Sequence, residues 1–171
     1  WLLFFIRMHK LFFIYFFTKL NTIYWGFFLG KKGKNVVINL GVTINIPKNV
    51  FIEDNVVIGK GVVMGGENLE GKLFIKNNVQ VNRDCFLDHS GDLIIGENTL
   101  ISAEVVVFTH SHGYNPRSVS KGIKKCIGKS CWIGYGVLLN ENVKEIKDDV
   151  IIAAKSVVTK SCKEENVIYG G

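Results

Sequence analysis

The sequence predicts an all-β fold, a coil of stacked parallel strands wound from six-residue repeats, with a protruding loop and an N-terminal apolar helix. Three observations predict it. After Gly33 the chain becomes short runs of Val and Ile, each followed by Gly, Asn or Asp, with a period near six instead of the 2 of a sheet or the 3.6 of a helix. An aliphatic residue leads every block, and a small or β-branched residue often follows four positions later. The first thirty residues lack this period and hold most of the aromatics.

The opening segment, WLLFFIRMHKLFFIYFFTKLNTIYWGFFLG, is the most apolar part of the chain yet carries Arg7, His9, Lys10 and Lys19. No small-residue cleavage site follows it, so it does not read as a signal peptide, and a start on Trp1 rather than Met leads us to expect residues upstream. At 100° per residue Arg7, Lys10, Thr18 and Asn21 share one stripe of about 80°. The pattern fits a helix lying in a membrane interface, with Trp1, Tyr15, Tyr24 and Trp25 at head-group level and Lys31, Lys32 and Lys34 near anionic lipid. A transmembrane span over 11–30 and a helix packed on its own protein or a neighbouring subunit are the alternatives. The segment is assigned residues 1–33 and a peripheral place on the cytoplasmic face of the membrane.

The repeat is assigned residues 34–160. Its blocks include INLGVT, IEDNVV, IGKGVV, VNRDCF, IGENTL, ISAEVV, IGKSCW, IGYGVL and IKDDVI. The leading side chain should point inward, the Gly, Asn or Asp beside it should turn the corner, and the later residue should pack beneath. Three blocks make a triangular rung of about eighteen residues, so roughly five rungs are expected. Cys85 and Cys131 fall at the small packing position, and none of the four cysteines has metal-ligand spacing, so they read as reduced structural thiols. The section 139–149, LNENVKEIKDD, is the least regular.

A length of 171 residues with 47% hydrophobic and 21% charged side chains excludes disorder. The net charge of +6 is spread along the chain and not gathered into a stripe with stacking aromatics, which argues against nucleic-acid binding. Anionic lipid or a phosphorylated cosubstrate accounts for it as well.

The repeat breaks over 109–127 in a polar loop, THSHGYNPRSVSKGIKKC, whose body is assigned to 110–126. Long loops on a rigid scaffold commonly carry function, and a group that takes a proton from a hydroxyl near neutral pH is most often histidine. His110 and His112 open the loop.

CWIGYG and IAAKSVVTK, with IGENTLISAEVVVFTHSHGY before them, resemble signatures of the hexapeptide-repeat acyltransferase family, in its galactoside, maltose and polysaccharide O-acetyltransferase branch. The resemblance spans about 36–171 and is sharpest over 95–160. It implies a left-handed coil, a hand that crossover rules alone would not give. It also implies a homotrimer with sites between coils, acetyl-CoA as cosubstrate, and direct transfer with a histidine as general base. The ungapped match puts that base at His112, with His110 as catalytic support. Asn82 matches an acceptor-binding asparagine, and Asp84, His89 and Arg117 are further acceptor candidates. Trp132, Gly134, Tyr135, Ala154, Thr159 and Lys160 are the coenzyme A candidates: a flat wall, small residues beside the pantetheine arm, and a lysine for phosphate.

The departures are an extra residue within 139–149, the absence of the small N-terminal domain of maltose-type enzymes, and a tail, 161–171, that in relatives continues with a Pro-Ala segment over coenzyme A. The expected function is acetyl-CoA-dependent O-acetylation of a sugar hydroxyl in a surface polysaccharide or its lipid-linked precursor. N-acetylation of an amino sugar is one alternative. A metal-dependent coil of the carbonic anhydrase class, using His89, His110 and His112, is the other; no metal is expected.

Overall fold

The computed structural model describes the backbone of residues 2–170 and the side-chain surroundings of residues 7–170. Trp1 lies outside the described residues. After helix α1 (Leu2–Gly26), short strands wind into a coil with three parallel sheets. The first sheet holds Lys31–Lys32, Val50–Ile52, Leu73–Ile75, Leu93–Ile95, Lys125–Ile127 and Glu145–Ile146. The second begins at Val37–Ile38 and ends at Ile168–Tyr169, and the third runs from Thr43–Ile44 to Val157–Val158.

The repeat leaders point inward as expected. Ile38, Ile58, Val81, Ile101, Ile133 and Ile152 stack through the second sheet with no exposed surface, and each such burial contributes about 1.5–3 kcal/mol. Cys85 and Cys131 sit between rungs in the small position, and burial pushes the Cys85 thiol up to about 11. The corner between the first and second sheets is an asparagine ladder. Asn35, Asn55, Asn78 and Asn98 all take positive φ, and the side-chain amides of the first three each donate to the side-chain Oδ1 of the asparagine on the next rung. Asparagine tolerates this left-handed backbone better than most residues, so it both turns the corner and ties the rungs.

The count of rungs differs from expectation: six strands in the first and third sheets and seven in the second, against roughly five rungs. Lys31–Lys32 and Ile168–Tyr169 pair through backbone hydrogen bonds where the six-residue pattern has faded, which adds turns at both ends. The coil thus begins before the expected boundary at 34. The irregular 139–149 section also stays in register, with Leu139, Val143, Ile146 and Val150 buried. Lys125 ties this section to the coil: fully buried, its ammonium donates to the Asn140 and Val143 carbonyls.

The C-terminal part of the polar stripe of α1, Thr18 and Asn21, faces protein with Thr22 beside it, while Arg7 and Lys10 are exposed. Thr22 Oγ1 accepts the Ile38 N–H at 2.9 Å, and the Asn21 amide donates to the Ile38 and Asn39 carbonyls at 3.1 and 2.9 Å. These bonds satisfy the open edge of the second sheet, where no strand precedes Val37–Ile38. The other sides of the helix remain exposed, including Phe12, Phe13, Phe16, Phe17 and Leu20. Among the described residues no helix is long and apolar enough to cross a membrane.

Candidate active site at the loop-bearing corner

The first two corners of each rung are tight; insertions collect at the third, between the third and first sheets. Successive rungs are 20, 23 and 20 residues long on the asparagine ladder, and the extra residues of the longer rung lie at 66–71. Two rungs above that longer one comes the 109–124 excursion, which is a β-hairpin arm and not an irregular loop. His110–Ser111 pairs antiparallel with Lys121–Gly122. The arm re-enters across Gly91, where a Cβ would lie 2.4 Å from the Ile123 backbone nitrogen.

Asp88 anchors the corner. Its carboxylate is 1% exposed and accepts from the Ser90 amide and hydroxyl on one oxygen, and from the Thr109 amide and His110 Nδ1 on the other. Burial pushes this carboxyl up, but the Ser90, Thr109 and His110 hydrogen bonds outweigh it and hold the group below its ordinary 3.8. The ionised carboxylate therefore fixes the proton of His110 on Nδ1, at 2.7 Å. His112 is fixed differently: its Nδ1 donates to the Ser118 carbonyl at 2.8 Å, and the Ser118 hydroxyl returns a bond to the His112 carbonyl.

Both imidazoles thus present Nε2, and both face Glu67 from the 66–71 excursion. Glu67 Oε2 lies 3.2 Å from His112 Nε2, and Oε1 lies 3.6 Å from His110 Nε2. The imidazole centroids are 5.3 Å apart and perpendicular. Asn68 accepts from the Ser120 hydroxyl, tying the excursion to the arm. A cleft of about 710 Å³ lined by Glu67, Glu70, Asp92 and Lys124 opens on one side. A smaller one of about 280 Å³, walled by Phe86, Phe108 and His110, opens on the other. Chemically, two oriented imidazoles with outward basic nitrogens at a solvent-reachable corner can take a proton from a bound hydroxyl or amine.

His110 and His112 lie side by side at this corner. His89 is a correction. It is wholly buried, with Nδ1 on the Gly71 carbonyl and no exposed atom, so it does not contact an acceptor. It follows the Asp88–Gly65 pair, with its backbone amide on the Gly65 carbonyl at 2.7 Å. Glu67 and Asp88 were not among the sequence candidates. The signal available for Glu67 was that its extra residues lengthen the rung at the same corner as the long loop.

No family model matches the chain. A putative lipopolysaccharide biosynthesis O-acetyltransferase, WbbJ, of Escherichia coli (strain K12) is 32% identical over 112 residues, 58% of this chain and 57% of that protein. The chain therefore spans just over half the length of this curated relative. Among solved structures, AntD, an N-acyltransferase from Bacillus cereus, superposes with a TM-score of 0.73 at 21% identity, covering 90% of this chain and 83% of its own. A maltose O-acetyltransferase from Clostridium difficile 630 gives 0.56 at 24% identity, with 86% and 67% covered. The hexapeptide-repeat acetyltransferase VCA0836 from Vibrio cholerae gives 0.60 at 19% identity, with 90% and 76% covered. This chain has the fold of the hexapeptide-repeat acyltransferases.

On the hexapeptide-repeat coil the other candidates divide between two sides. Trp132 lies on the second sheet, half exposed, its Nε1 donating to Ser102 Oγ at 3.0 Å. Asn82, Asp84, Tyr135 and Ala154 follow at the next corner, where Tyr135 bonds Glu104 and Lys155 lies 4.2 Å above its ring centre. Gly134 is required by rung packing, since a Cβ there would meet the Ile152 carbonyl at 2.6 Å. Thr159 and Lys160 lie in a separate cavity of about 490 Å³ with Ser156, Cys162 and Tyr169 at the C-terminal end. Arg117 is on the hairpin arm, its amide bonded to Asn115 Oδ1. The second sheet is the face opposite the histidine corner, so one chain does not bring Trp132 and Asn82 to His112. As a coenzyme A surface, the flat exposed indole and the exposed lysine fit; Gly134 has its structural reason already.

Proposed function

We propose that this protein transfers an acetyl group from acetyl-CoA to a hydroxyl of a sugar in a surface polysaccharide or its lipid-linked precursor. The observation that carries the proposal is the pair of imidazoles at the loop-bearing corner with Nδ1 protons held by Asp88 and by the Ser118 carbonyl, leaving basic Nε2 atoms outward. The relationship to an O-acetyltransferase of lipopolysaccharide biosynthesis supports the acceptor class.

In this reading His112 is the general base, because its ring is the more exposed of the two, 30% against 14%. Its Nε2 takes the proton of the acceptor hydroxyl as the oxygen attacks the thioester carbonyl. The new ester C–O bond forms, the C–S bond breaks, and the proton leaves with the departing thiol. His110, held on Asp88, supports the site from one side. Deprotonation of this kind contributes about 10²–10⁴-fold to rate.

The two sides described above would meet between copies. In a homotrimer, the Trp132 side of one coil would face the His112 corner of the next, completing a coenzyme A groove that neither copy encloses alone. The exposed aromatic sides of α1, with Lys10, Lys19, Lys31 and Lys32 nearby, support a peripheral position on the cytoplasmic face of the membrane, close to a lipid-linked acceptor.

The test is a thermal-shift titration with coenzyme A on the full chain. A ligand that binds only the folded state raises the unfolding midpoint with concentration. A midpoint unmoved at saturating coenzyme A would remove the cosubstrate and with it the reaction.

A further inference from the structure

We infer that Glu67, His110 and His112 together form a binding site for one zinc-class divalent cation, in competition with proton abstraction by His112. One oxygen of Glu67 lies 3.2 Å from His112 Nε2 and the other 3.6 Å from His110 Nε2, and the three groups can bring ligand atoms within 4.8 Å of one another. Tetrahedral zinc with bonds of about 2.0–2.1 Å holds its ligand atoms roughly 3.3 Å apart, so the corner needs only small side-chain shifts to accept the ion.

The outer contacts point the same way. A histidine that ligates a metal through Nε2 usually donates Nδ1–H to a carboxylate or a backbone carbonyl, which sets the tautomer and aims the lone pair. His110 does so to Asp88 at 2.7 Å, and His112 does so to the Ser118 carbonyl at 2.8 Å. Asp88 is in turn pinned by Ser90 and Thr109. The 3.6 Å separation of Glu67 from His110 is beyond hydrogen-bond length, so the carboxylate has not already bonded that nitrogen.

Two imidazoles and one carboxylate favour zinc over magnesium or calcium, which prefer oxygen ligands. Glu67 is about half exposed and borders both clefts, leaving a fourth position open. This set differs from the three-histidine arrangement considered from the sequence, because His89 is buried away and Glu67 takes its place. The competition follows from shared atoms: the lone pair that would hold the ion is the one that would accept the acceptor's proton. The binding site stands on geometry alone; the competition rests on the acyl-transfer reading.

The experiment is zinc titration of the chelator-treated full chain by calorimetry, paired with the visible absorption of the cobalt-loaded protein. One ion per chain is expected, with affinity at least about 10-fold weaker in Glu67→Gln and His112→Ala. Glu67 is exposed enough that Glu67→Gln keeps the fold, which circular dichroism checks. No saturable binding, or equal binding in wild type and both variants, overturns the site. Acetyl transfer measured with and without one equivalent of zinc tests the competition, which requires loss of transfer in the loaded protein; undiminished transfer overturns it. Transfer absent from both forms beside an intact zinc isotherm counts against the acyl-transfer reading and leaves the site supported.

Discussion

Asp88 Oδ2 and His110 Nδ1 lie 2.7 Å apart beneath the hairpin arm, with the carboxylate shut away from solvent. That contact joins the coil to the arm, since the same oxygen also accepts the Thr109 amide at 2.6 Å. Asp88→Asn places an amide NH₂ against donors on one side or the other. The variant should lose about 1.5–3 kcal/mol, the range for hydrogen bonds to a charged group. Urea unfolding measures it; a change within about 0.5 kcal/mol would mean the carboxylate does not anchor the arm. The depressed carboxyl also sets a sign. Its contribution to stability is present above the ordinary carboxylate range and is lost as pH falls through the still lower folded-state value.

Lys125 gives a dependence of the same sign in a higher pH window. Burial pulls its ammonium down to about 8 from an ordinary 10.5, with Glu141 and Asp88 partly opposing. Between those values the unfolded chain binds more protons than the folded one, so stability rises with pH across the window and is flat from this group below it. Lys125→Met keeps the length of the stem but removes the donor to Asn140 and Val143. Unfolding curves near pH 7.5 and pH 10 should converge less in wild type than in the variant, with wild type gaining stability at the higher pH. Parallel behaviour of the two proteins would contradict the account.

Helix α1 separates two roles by face. Phe12, Phe16 and Leu20 are exposed, whereas Thr18 and Thr22 are buried against the coil. Replacing the three apolar residues with Ser should lower binding to vesicles containing anionic lipid by at least about 10-fold, with the fold unchanged. Thr22→Val should do the reverse, costing about 1–3 kcal/mol by leaving the Ile38 N–H unpaired while vesicle binding persists. Sedimentation with vesicles and a melting curve separate them; unchanged vesicle binding in the triple variant would remove the interfacial role.

The coil was legible because each rung repeats the same local solution: an aliphatic residue such as Ile101 inward, a corner residue such as Asn98 in the left-handed region, and Val105 packed beneath. Such periodicity survives in a single sequence. Its ends were not legible, since Lys31–Lys32 and Ile168–Tyr169 join through backbone pairing without the repeat. The polar stripe of α1 was visible, but not what its Thr18 and Asn21 faced, because an open sheet edge and lipid head groups both welcome such residues. At the candidate site His110 and His112 stood out by residue type. Glu67 and Asp88 did not, because their roles arise from stacking across rungs, 22 to 45 positions from the histidines they meet.

The central claim is that His112 takes the acceptor's proton. It is tested most directly by following labelled acetyl from acetyl-CoA into a lipid-linked saccharide fraction with wild type and His112→Ala, alongside coenzyme A binding. The account predicts transfer reduced by about 10²–10⁴-fold with coenzyme A affinity essentially unchanged. Full transfer by His112→Ala would contradict it.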